Sequence, residues 1–109
     1  MRIVVIAPGA QRQMREALVW SRDTFGVVAA DRYRRLIEAA AAELADNPDR
    51  RGVVQCPNDL RTFHLKLASH KHGVAAPRHI LVFRSDDRVL TVIRVFHDAM
   101  DLPARLSDV

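Results

Sequence analysis

Cysteine is almost absent from this 109-residue chain. The one copy, Cys56, excludes an internal disulfide framework and a multi-cysteine zinc site, and it fits a reducing compartment. No apolar run approaches the roughly 18–20 residues of a membrane-spanning helix. The opening Met1-Arg2-Ile3-Val4-Val5-Ile6 is too short an apolar stretch for a signal peptide. The expectation is a cytoplasmic protein with no membrane partner, and the length suits a single domain over residues 1–109. Acidic residues are missing from one region altogether. Between Leu60 and Ser85 there are Arg61, Lys66, Lys71, Arg78 and Arg84 but no Asp or Glu, and four of the five histidines lie there too. The formal charge of +4 is therefore the excess of that stretch, and the remainder of the chain is close to neutral. Such a stripe suits phosphate or an acidic partner peptide, or is simply a solvated hairpin. It has few aromatic residues to stack bases, which speaks against a platform for single-stranded RNA.

The residues that are present set out an order of elements. Arg2 to Ile6 is a short β-branched run stopped by Ala7-Pro8-Gly9, a buried strand. Pro8 suits the first turn of a helix. Ala10, Met14, Ala17, Leu18, Ser21 and Phe25 then fall at steps of three and four, and Gly26 is placed to end that helix. Ala29, Tyr33, Leu36, Ile37, Ala40 and Leu44 form the stripe of a second helix, closed by Asn47-Pro48. The link at Gly26 is so short that the two should make an antiparallel hairpin. Asp46 to Asp59 reads as loop. Alternation from Arg61 to Leu67 predicts a strand with one buried face. His79 to Arg84 and Val89 to His97 predict two more, joined by a tight turn at Ser85-Asp86-Asp87. The last is apolar on both faces and so central. Asp98 to Leu106 reads as a final helical turn or a tail. The class is α+β, β-α-α-β-β-β, with a helical hairpin laid on a small, mostly antiparallel sheet.

Candidate chemistry is sparse. His70 and His72 could hold zinc, but no third ligand has suitable spacing. Cys56 lacks an assignable base. Ala7-Pro8-Gly9-Ala10 follows a strand as a phosphate loop does, but without the glycine spacing or the lysine. No metal and no cofactor are expected. Trp20, off the cleanest helix stripe, is either a partner anchor or the edge of the core.

Three segments in order carry a specific resemblance: Leu60-Arg61-Thr62-Phe63, Arg78-His79-Ile80-Leu81-Val82-Phe83-Arg84, and Ile93-Arg94-Val95-Phe96-His97-Asp98-Ala99-Met100-Asp101-Leu102. With the helical hairpin before them, the chain resembles the ParE branch of the RelE/ParE superfamily, toxins of bacterial type II toxin–antitoxin pairs, from about Ile6 to Leu106. The resemblance implies the same β-α-α-β-β-β fold. It implies a toxin that inhibits DNA gyrase and replication, with no chemistry of its own, until a ParD-like antitoxin neutralises it. That antitoxin wraps the toxin with its C-terminal segment, expected to be acidic, and binds operator DNA with its N-terminal part. The toxin itself is not expected to read nucleic-acid sequence. The alternative within the superfamily is a RelE-like, metal-independent endoribonuclease that cuts mRNA on the ribosome. Ribonuclease chemistry needs a base, an acid and cations for the phosphate. Arg61, Arg84, Arg94 and His97 are the candidates for it, and the same four are the candidate gyrase-binding residues. Arg94 has a structural reading as well, paired with Asp98 or Asp101. The antitoxin is expected to contact Leu18, Trp20, Phe25, Leu36 and Arg78. The sequence departs from the family in a long connection, Leu67 to Pro77, with His70, Lys71 and His72 at its tip.

Overall fold

The computed structural model describes residues 1–109. A strand β1 (Ile3–Ile6) leads into helix α1 (Pro8–Phe25) and helix α2 (Val27–Asp46). A two-residue strand β2 (Val54–Gln55), β3 (Arg61–His64), β4 (His79–Ser85), β5 (Val89–His97) and a short helix α3 (Leu102–Leu106) follow. The sheet has five strands in the order β1-β5-β4-β3-β2. β1 runs parallel to β5 and every other pair is antiparallel. The α+β reading therefore stands, with one small strand added; β5 is interior, as expected of a strand apolar on both faces, but β4 holds the middle of the sheet.

Local chemistry explains each helix boundary. Pro8 occupies the first turn of α1, where its missing N–H costs nothing. Gly26 has φ +99° and ψ 171°, a conformation open to glycine and strained for other residues. Its N–H donates to the Arg22 carbonyl and its own carbonyl accepts from Ala30. One residue thus closes α1 and opens α2, which forces the hairpin. α2 buries Leu36, Ile37, Ala40, Ala41, Leu44 and Ala45 against the sheet. Three of those six are alanines, whose small side chains let the helix approach closely.

Three expectations change. β1 is an edge strand rather than a buried one, with Ile3 and Val5 exposed on its outer face. The strand from Arg61 stops at His64, and Leu65–Leu67 turn into a single 3-10 turn. The cause is local: His64 Nδ1 accepts the Lys66 N–H at 3.1 Å, which competes with the sheet ladder. Within the Asp46–Asp59 loop, Val54 and Gln55 pair with Thr62 and Arg61 as an edge strand. Both residues are exposed, so no buried face advertised them.

The sheet is covered on both sides. On one face the helices pack on Phe63, Leu65, Leu81, Phe83, Leu90, Val92 and Val95. On the other, a small cluster of Leu60, Val82 and Phe96 lies under Leu102, Leu106 and Val109. Beyond Asp98 the backbone bonds only within its own segment, so apolar contact alone holds α3 down. No helix is long and apolar enough to cross a membrane. The two faces should differ in cost. Phe63→Ala is expected to lose about 3–5 kcal/mol of stability through the cavity it leaves. Leu106→Ala, on a half-buried residue, is expected to lose about 1 kcal/mol. Urea unfolding near neutral pH measures both.

Candidate functional site

The pairing of β4 with β5 sets His79 opposite His97, and β3 brings His64 opposite Ile80. Three histidines therefore collect at one end of the sheet. The strand period of two then sorts them. His79 and His97 point to the helix side, their rings edge to face with centroids 5.3 Å apart. His64 points to the other face and meets Asp98, with Nε2 2.9 Å from Oδ2. Arg78 Nε reaches the same carboxylate at 2.9 and 3.1 Å, and Asp98 N–H donates to the Arg78 carbonyl. Asp98 thus clamps the ends of β3, β4 and β5. The hydrogen bond from His64, aided by that from Arg78, holds its carboxyl below the usual range.

On the helix side Tyr33 of α2 reaches down to the sheet. Its hydroxyl lies 2.5 Å from His79 Nδ1 and accepts the Arg78 N–H at 3.2 Å. Burial raises the Tyr33 pKa. Burial, with the nearby His97, lowers that of His79 from 6.5 to about 4, so the ring is neutral under ordinary conditions.

Above this histidine pair opens a groove of about 690 Å³. Its walls are the α1–α2 hairpin, with Trp20 and Phe25, and the segment Gly73 to Ala76. Trp20 and Phe25 are exposed and pack edge to face, centroids 5.6 Å apart. Val19, Val27 and Val28 extend the exposed apolar surface at the hairpin tip, the kind of patch that marks an interaction site. The long Leu67–Pro77 connection does not project as a free arm. Arg50 binds Glu43 and donates to Ser69 Oγ, and Glu43 accepts the Ser69 N–H. Val74 packs against the core. Those ties press the connection onto α2 as the groove's second wall.

The residues expected from sequence do not form one site. Arg61 lies at the opposite end of β3 from His64. It donates to Asp49 Oδ1 at 2.7 Å, to Gln55 Oε1 at 3.1 Å and to the Pro48 carbonyl at 3.3 Å. Arg84 sits near it and holds the Asn58 carbonyl with Nε and Nη2, pinning a turn in which Asn58 and Asp59 have positive φ. Arg94 pairs with neither Asp98 nor Asp101. Its Nη1 donates to the Ile93 carbonyl at 2.7 Å, and the guanidinium packs over Gly9, where a Cβ would come within 2.8 Å. Only His97 stands in the histidine cluster, so the proposed four-residue ribonuclease centre does not assemble. Among the proposed antitoxin contacts, Trp20, Phe25 and Arg78 line the groove. Leu36 does not qualify, because it is fully buried between α2 and the sheet. Leu18 is half-buried and lies outside the groove. The sequence did not reveal the Tyr33–His79 pair on the helix side or the His64–Asp98 pair on the other face. No spacing rule links Tyr33 to His79 across 46 residues.

A family model described as "ParE toxin of type II toxin-antitoxin system, parDE" matches residues 4–102. The chain belongs to the ParE toxin family. Among solved structures, it is similar to a YafQ variant from E. coli in which a histidine is replaced by glutamine, with a TM-score of 0.54 and 14% identity. That match covers 91% of this chain and 96% of the other, and it is a likeness of fold. No curated protein matches in sequence. The toxin presents no group of three His, Cys, Asp or Glu side chains able to hold a metal ion.

His79 gives the toxin a specific acid sensitivity. The unfolded chain binds the proton near pH 6.5 and the folded chain only near 4. The stability that the neutral ring contributes is therefore complete above pH 6.5 and is lost as pH falls toward 4, by up to about 3 kcal/mol. His79→Gln is expected to flatten the urea-unfolding profile in that window relative to the parent, and coincident profiles would refute the assignment.

Proposed function

We propose that this toxin acts by binding DNA gyrase and stopping replication, and that a ParD-like antitoxin holds it inactive. The observation that carries the reading is the ParE family match across residues 4–102. Such a toxin needs an interaction surface and no catalytic centre of its own. The gyrase target places its work in the cytoplasm. Of the proposed target contacts, His97 and the segment after it lie at the histidine end of the sheet. Arg61 and Arg84 lie at the other, so gyrase contact through all four would span the sheet's length.

One observation favours a second reading, ribosome-dependent mRNA cleavage. His97, half-exposed, and His79 beside it are acid–base groups, with the Arg78 cation close by. That chemistry needs a base for the 2′-hydroxyl, an acid for the leaving group and a cation for the phosphate, and these three side chains are the candidates for those roles.

Purified toxin added to gyrase supercoiling reactions, and separately to translating ribosomes with labelled mRNA, decides between them. The expected outcome is loss of supercoiling with intact mRNA. Codon-spaced cleavage that disappears in His97→Ala would establish the ribonuclease instead. Growth arrest on induction without the antitoxin is expected under either reading.

A further inference from the structure

The ladder of β1 shows which of its backbone groups are already paired. Ile3 N–H donates to the Arg88 carbonyl and Ala7 N–H to that of Val92, so Ile3, Val5 and Ala7 turn their backbone groups toward β5. Arg2, Val4 and Ile6 turn theirs the other way, to the free edge of the sheet. Two groups on that edge are closed within the chain. Arg2 N–H donates to the Ala45 carbonyl, and the Ile6 carbonyl accepts from Gln11 Nε2 at 2.9 Å. The Arg2 carbonyl, both groups of Val4 and the Ile6 N–H stay open, because β5 is the strand's one partner. Nothing guards this edge. Ile3 to Ile6 carry no charge, proline or bulge, the usual devices against strand pairing. On the far face Ile3 is 68% exposed and Val5 43%, and neither lines the groove.

The open groups fit a second copy of the same strand, antiparallel and in one register. With Val4 opposite Val4 of the second copy, each Val4 N–H meets the other's carbonyl. Each Ile6 N–H meets the Arg2 carbonyl of the other copy. Every open group is then used. The groups left facing each other without a bond are Arg2 N–H and the Ile6 carbonyl, the two already closed. A shift of two residues either way sets open groups against closed ones. A foreign strand would lose its own groups against the closed pair, whereas two-fold symmetry sets closed against closed. The same register puts Ile3 beside Val5 of the second copy on the far face, in close non-hydrogen-bonded pairs. The exposed apolar side chains therefore cover one another.

We propose that the toxin self-associates through β1, in a two-fold pair that joins two five-stranded sheets into one. A four-residue strand is about 13 Å long. The contact thus covers roughly half of the ~800 Å² per partner of a standard interface. That area suits a weak dimer, with Kd on the order of 100 μM.

Sedimentation equilibrium of the purified toxin from about 5 μM to about 1 mM tests the pairing, with monomer expected at the low end and chiefly dimer at the top. Val5→Lys, on a part-exposed side chain, is expected to weaken association about tenfold or more. Adding Ile3→Glu to the same chain should restore it, because each new carboxylate then faces an ammonium across the dyad. Amide exchange gives a readout on the unaltered chain. Val4 and Ile6 N–H should slow as concentration rises, while Ile3 and Val5, already bonded to β5, should change little. A toxin that stays monomeric to the highest concentration overturns the proposal. So does a dimer that Val5→Lys leaves intact, a double variant no tighter than Val5→Lys, or Val4 and Ile6 amides that do not respond to concentration. A dimer abolished by Trp20→Ala would place the contact at the hairpin tip and overturn it as well. Protection of Val4 and Ile6 that appears only when antitoxin is added would assign the edge to that partner instead.

Discussion

The register between β4 and β5 is the constraint on which the rest of the molecule depends. It sets Leu81 opposite Val95 and Ile80 opposite Phe96, which fills one face under the helices and the other under α3. It also sets His79 opposite His97. Because side chains alternate, a slip of one residue would put every apolar group on the wrong face and separate the two imidazoles. The irregularity between Val82 and Phe83 is part of that constraint. It lets Arg94 lean aside toward Gly9 while Val95 returns to the core. β5 is held from its other side as well. β1 pairs only with Val89 to Val92. Past that point α1 takes over, with Gln13 Oε1 accepting the Val95 N–H at 2.6 Å, so a helix side chain finishes what the short strand leaves open.

Most of this architecture was legible because it rests on long, periodic apolar patterns. The two helices show their stripes at steps of three and four, and β5 shows a run buried on both faces. What was not legible lacks any buried pattern. β2 is two exposed residues whose only qualification is the partner strand they happen to meet. The early end of β3 depends on one histidine ring turning back on its own backbone. Leu36 illustrates a different failure. A leucine on a helix stripe is equally consistent with core and with a docking face, and only the position of the sheet decides. For the site, the histidines and arginines could be named from sequence, but not their assortment. Register separates Arg61 and Arg84 from His97 by the length of β4, and Tyr33 joins His79 only through tertiary packing.

The charge of the Leu60–Ser85 stretch looks different once folded. Arg61 meets Asp49, and Arg78 meets Asp98, so carboxylates from elsewhere in the chain reach two of its five cations. Arg84 is occupied with a backbone carbonyl. A stripe that reads as an open basic surface along the sequence is in part the toxin's own glue. These pairs are half-exposed, and each adds little to stability on its own. Their effect is positional: they fix loops and strand ends around a groove that is itself mostly apolar.

The His97–Asp98 pair shows how one short motif serves two surfaces. Consecutive strand residues face opposite ways. His97 therefore belongs to the helix-side groove with His79 and Tyr33, while Asp98 turns to the far face and binds His64 and Arg78. Asp98 is a structural clamp whose loss would free three strand ends and expose α3's seat. His97 carries less of that burden: its ring accepts one hydrogen bond, from Ala99 N–H two residues on, and its Nδ1 lies 3.7 Å from Asp98 Oδ1. A change at Asp98 thus reaches every surface of the toxin through the fold, whereas a change at His97 reports on what enters the groove. Loss of activity from altering the motif as a whole would not separate these two effects, and substituting the two residues singly does.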